Sequence, residues 1–105
     1  MDYLFRIKLS KPADVPAHEF YAAWLAEAEP SLAAMEAGLM QIWKVAGADE
    51  AVGVMTVESA EQLDAIYDLP LWAGGNSHLV ESVEWVPLRP HADWVDDLKR
   101  LSVPR

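Results

Sequence analysis

The chain contains no cysteine. Disulfides and thiolate metal sites are therefore excluded, and the composition says nothing about redox compartment. Basic residues are scarce: eight Lys and Arg stand against seventeen Asp and Glu, for a net charge of −9. So few cations cannot build the basic face that nucleic acid requires. Docking on an anionic membrane is disfavoured for the same reason. A small anionic ligand stays open, because a pocket can be locally positive in a negative protein. No apolar run approaches the ~20 residues of a membrane-spanning helix. The N-terminus, MDYLFRIKLS, alternates like a strand and lacks the basic and apolar regions of a secretory signal, so a cytoplasmic protein is expected. His18, His78 and His91 are dispersed, without H-x-x-x-H spacing, and no metal site is expected. There is no phosphate-cradling glycine loop, no G-x-S-x-G elbow, no repeat and no low-complexity linker.

What is present is an apolar half, 52% of 105 residues, which suffices for one small core. A domain of this size is marginal on its own, and burial between subunits is the usual remedy. A homodimer or higher homo-oligomer is therefore expected. The five Trp exceed what one thin core needs and could line a pocket or a subunit interface.

Residues 3–9 alternate as a strand, with Tyr3, Phe5, Ile7 and Leu9 on one face and Leu4, Arg6 and Lys8 on the other. The apolar face should meet helices. Two cations on the second face are unusual for a strand expected at the sheet centre. Pro12 and Pro16 punctuate a turn in which Asp14 can cap a helix running from about Pro16 to Ala37. Phe20, Trp24 and Leu25 recur at helical spacing, continued by Leu32 and Met35. Pro30 predicts a kink or short break at residues 27–30, and Gly38 closes the helix.

Residues 39–46 and 51–57 read as strands joined by a hairpin at Gly47–Glu50. Ser59 opens a second helix over residues 59–69, with Glu61 and Gln62 placed for a capping box. Residues 73–76 form a loop, and residues 78–86 are the last strand. The order β-α-β-β-α-β is the ferredoxin-like, split βαβ arrangement. It predicts an α+β domain over residues 1–90, with a four-stranded antiparallel sheet and both helices on one face. Residues 91–105 are a Pro-punctuated tail, in which Trp94, Val95 and Leu98 could form one short amphipathic turn docking on the domain or a neighbouring subunit.

Several short motifs, in a shared order, resemble the muconolactone Δ-isomerase family. Trp43-Lys-Val-Ala-Gly47 is similar to that family's W-R-I-A-G before the same hairpin. Leu4-Phe5-Arg6-Ile7-Lys8 resembles its opening L-F-x-V-K, and Glu27-Ala-Glu29 its E-K-E. Val57 through Leu63 resembles V-x-S-x-E-x-L, Leu69-Pro70-Leu71-Trp72 resembles L-P-L-F, and Val83 through Pro90 the last strand with its closing proline. The resemblance spans residues 4–90 and implies a dimeric α+β barrel. Departures fall on the hairpin, where Ala48 through Gly53 replace H-Y-A-N-x-S, on Trp72 through Asn76, and at Arg89. Loops of this kind tend to carry substrate contacts.

The resemblance further implies a cofactor-independent shift of a proton and double bond in a small unsaturated lactone or keto acid. Such chemistry needs a base beside a carbonyl and a positive group or hydrogen-bond donors to steady the enolate. Burial raises a carboxylate's affinity for the proton and a nearby cation limits that rise. Glu27 falls on the family's pocket glutamate, one turn after Trp24, and is the candidate base. Taken alone, without the resemblance, it reads as a solvated helix-face carboxylate. Lys8 is the candidate electrostatic partner on the face opposite Phe5, with Arg6 beside it to hold a substrate carboxylate; the alternative is a cation that discourages sheet aggregation. His18 and Tyr21 lie near the helix entry, and His18 could shuttle a proton. Trp24, Trp43, Met40, Met55 and Trp72 could wall the pocket, although core packing would account for each. Asn76 and His78 border the divergent loop and could have taken over substrate contacts.

Two other readings compete. The scaffold could serve a cyclase, dehydratase or lyase acting on a larger apolar, polyketide-like intermediate. It could also serve a non-catalytic ligand-binding or assembly protein that uses the open sheet face.

Overall fold

The computed structural model of the chain describes residues 1–65 and 77–104. β1 (Asp2–Leu9) is followed by α1 (Ala17–Glu36), β2 (Met40–Lys44), β3 (Glu50–Thr56) and α2 (Ala60–Ala65). A short 3-10 turn (Ser77–Leu79) leads into β4 (Val80–Leu88), and α3 (His91–Leu101) follows. The four strands form one antiparallel sheet in the order β2-β3-β1-β4, which places β1 at the centre between β3 and β4. This is the ferredoxin-like arrangement expected from the element order.

Register divides the sheet into two faces. Tyr3, Phe5 and Ile7 share one with Met55, Gly53 and Ala51 of β3, with Trp85 and Val83 of β4, and with Met40, Ile42 and Lys44 of β2. Leu4, Arg6 and Lys8 share the other with Val54, Val52, Glu50, Val86, Glu84, Ser82 and Trp43. The first face is covered. Tyr3, Phe5, Met55 and Val57 are buried together, and Leu63 of α2 packs on them with Ile7, Met40, Ile42 and Trp85. Phe5 meets Trp85 in a tilted ring contact at 5.7 Å between centroids. The second face is open: Arg6, Lys8, Trp43, Val86 and Leu88 are exposed.

Gly53 is required by the covered face. A Cβ there would lie 2.5 Å from Phe5 Cζ and 2.8 Å from its Cε1, and would also press on the backbone oxygen of Gln41.

α1 behaves differently from its sequence expectation at its start and in its middle. Its N-cap is Pro16, without a side-chain capping bond, and Asp14 does not cap it. Instead Val15 N–H bonds back to Pro12 O, and Lys11 Nζ donates to the carbonyls of Pro12 and Val15. Of the kink or short break expected at residues 27–30, the break is not there; the helix is continuous through Pro30. Proline at this position deprives the Ala26 carbonyl of its helical donor. Ala26 and Pro30 both lie on the exposed side, where water replaces the lost partner. The helix closes as expected at Gly38 (φ +77°), with Gly38 N–H on Met35 O and Leu39 N–H on Ala34 O, the paired bonds of a Schellman motif.

The other boundaries shift by small amounts. β2 and β3 are shorter or displaced by one residue, and Gly47 (φ +80°) turns the hairpin between them. Ser59 caps α2, its Oγ accepting from Gln62 N–H at 3.2 Å, while Gln62 Oε1 accepts from Glu58 N–H at 2.6 Å. Residues 66–69 of the expected helix lie outside the described residues. His78 stands in the 3-10 turn and β4 begins only at Val80. The C-terminal segment is an eleven-residue helix, longer than the single turn expected. Asp93 sits in its first turn and Lys99 and Arg100 in its last, each complementing the helix dipole.

Candidate active site

α1 presents two neighbouring seams. Phe20, Trp24, Glu27, Ser31 and Ala34 recur at spacings of three and four and are buried or half-buried, Phe20 being only 1% exposed. Tyr21, Leu25 and Leu32 lie on the next seam and are exposed, at 58%, 56% and 62%. The expected stripe of Phe20, Trp24, Leu25 and Leu32 therefore belongs to two sides of the helix. Glu27 belongs to the inner one, a turn beyond Trp24. Phe20 anchors the aromatic cluster, with ring centroids 5.5 Å from Tyr21 and 5.9 Å from Trp24.

Tyr21, Trp24, Leu25 and Ala28 of α1 meet Lys44 of β2 around an open, largely apolar groove of about 320 Å³. This is the lower end of the range for small-molecule sites. Lys44 reaches it because Met40, Ile42 and Lys44 alternate onto the covered face. Sequence reasoning missed Lys44, although that same alternation would have found it by counting from Met40.

The remaining candidates are distributed between the faces. Met40 and Met55 are cross-strand partners on the covered face. Trp43 lies on the open face and is 58% exposed, so it does not wall the groove beside α1. Lys8 and Arg6 also lie on the open face, where Arg6 Nε is 3.1 Å from Glu50 Oε1. Direct cooperation of Lys8 with Glu27 inside one chain is thereby disfavoured: the parity that turns Phe5 toward the helices turns Lys8 away from them. His18 is exposed in the first turn of α1, and His78 is exposed in the 3-10 turn, before the strand rather than in it. Trp72 and Asn76 lie outside the described residues. Among the described residues no group of three His, Asp or Glu side chains gathers to hold a metal, and no helix is long and apolar enough to cross a membrane.

Comparisons with known proteins agree on one relationship. The family model described as muconolactone delta-isomerase matches residues 1–93. Among solved structures, the crystal structure of muconolactone isomerase at 3.3 Å resolution superposes with a TM-score of 0.66 at 22% sequence identity, covering 87% of this chain and 91% of that one. No curated protein sequence matches the chain.

Proposed function

The chain belongs to the muconolactone delta-isomerase family, and from that membership we propose that it is an isomerase moving a proton and a double bond within a small unsaturated lactone or keto acid. The observation that carries the reading is the place of Glu27. Glu27 stands on the inner seam of α1, half-buried like Trp24 and Ser31 on either side of it. Glu27 takes the proton beside the carbonyl and returns it at the far end of the conjugated system, so one residue is base and then acid. Lys8 and Arg6, on the open face, are given no step.

The open face, with Trp43, Val86 and Leu88 exposed, is assigned to a second copy of the chain, whose matching face would remove this apolar surface from water. Light scattering checks it, with a monomer at micromolar concentration as the contrary result.

The test of the isomerase reading is turnover of muconolactone and related unsaturated lactones in D₂O, followed by proton NMR. The wild type should shift the double bond, with deuterium entering the product to the extent that Glu27 exchanges its proton with solvent before returning it. Glu27→Gln should lower the rate about 10²- to 10⁴-fold, the usual contribution of a general base. Equal rates in the two proteins would remove Glu27 from the mechanism.

A further inference from the structure

We propose that Lys44 is the substrate-anchoring residue of this site, binding the carboxylate of an anionic lactone whose ring lies against Trp24 and Tyr21. The inference rests on the isomerase reading above and adds a binding residue.

Three observations carry it. First, position: Lys44 shares the groove with Tyr21, Trp24, Leu25 and Ala28, and two of these residues, Trp24 and Ala28, flank Glu27 within one turn of α1. Second, electrostatics: the chain carries seventeen acidic residues against eight basic ones, yet Lys44 has no carboxylate partner within 4.0 Å among the described residues. Among the described residues its ammonium donates to the carbonyl of its own neighbour, Val45, at 3.0 Å. The other described cations near the sheet are engaged or misplaced: Arg6 is paired with Glu50, Lys11 is folded into its turn, and Lys8 faces the other way. An uncompensated ammonium beside an apolar wall in an acidic protein is a locally positive point. Third, chemistry: the groove offers flat aromatic surface and one cation with little other polarity, which matches a small planar molecule bearing one negative charge. Ala51, opposite Lys44 across the β2–β3 ladder, is small and leaves the lysine stem room to move.

An anchor made in the ground state and kept through the reaction changes binding more than chemistry. The experiment therefore measures binding and turnover separately. The probes are a five-membered unsaturated lactone bearing a carboxymethyl arm and its uncharged methyl ester. Binding is read by calorimetry on the wild type, Lys44→Met and Lys44→Arg, with thermal melts to show that each variant is folded. Lys44→Met should weaken binding of the acid about tenfold and raise KM to match, leaving kcat within about threefold, the size expected for losing a charge-assisted contact. The ester should bind all three proteins alike, and Lys44→Arg should restore most of the affinity for the acid. Unchanged affinity of Lys44→Met for the acid would overturn the proposal, even if the wild type isomerises it. Lysine-dependent binding of an acid that is never isomerised would uphold the anchor and overturn the isomerase reading instead.

Discussion

The two faces of β1 are built from alternate residues of one eight-residue strand, yet they do different things. Tyr3, Phe5 and Ile7 turn into the packed layer beneath the helices, while Leu4, Arg6 and Lys8 turn onto a surface that the chain leaves open. The difference teaches that strand parity, rather than distance along the chain, decides which residues can share a site. Lys8 stands three residues from Phe5 and on the other side of the sheet. Lys44 is far off in sequence and lies on the same side. The candidate chemistry gathers where α1 covers the sheet; the open face carries an ion pair and exposed apolar side chains.

Substitutions can break or sharpen this contrast. The largest effect is expected from Phe5→Ala, which empties the buried layer and should cost about 3–5 kcal/mol in denaturant unfolding. The matched change on the open face, Leu4→Ala, should cost less than half as much at dilutions where the chain is monomeric. At concentrations where the second copy proposed above covers that face, the cost of Leu4→Ala should rise toward that of Phe5→Ala. Gly53→Ala comes next, at about 1–3 kcal/mol, because the added methyl meets the Phe5 ring. A double-mutant cycle with Phe5→Leu should recover part of that loss, since the two residues share one contact. Ser59→Ala removes the cap of α2 and should cost about 1 kcal/mol. Arg6→Ala is the smallest: the pair of exposed Arg6 with half-buried Glu50 should contribute about 1 kcal/mol or less, and thermal melts in low and high salt would show it.

Much of this fold is legible in the sequence because its signals are local. Period-two alternation marks β1, the glycine at position 38 closes α1, and Ser59 with Gln62 opens α2. Three failures have physical causes. Pro30 looks like a helix breaker, but the carbonyl it orphans faces water, and the inner seam from Phe20 to Ala34 runs on across it. The apolar residues of α1 occupy two adjacent seams, so periodicity alone does not say which one meets the sheet. The C-terminal helix hides behind prolines, although Pro90 precedes its first turn and charges of the right sign lie at both ends.

The candidate site is less legible than the fold. Family resemblance points to Glu27, but Lys8 attracts notice as a second cation on a central strand, and its own alternation with Phe5 already sets it apart from the helices. Lys44 sits in the same motif as Trp43 and is overshadowed by it. The structure reverses their roles: Trp43 is outward and Lys44 lines the groove.

The most direct test of the account compares double-bond migration in an unsaturated lactone catalysed by Glu27→Gln and by Lys8→Met, side by side with the wild type. Chemistry on the helix-covered side predicts a loss of at least about 100-fold for Glu27→Gln and a rate within about threefold of wild type for Lys8→Met. A collapse of activity in Lys8→Met, with Glu27→Gln still active, would place the reaction on the open face and contradict it.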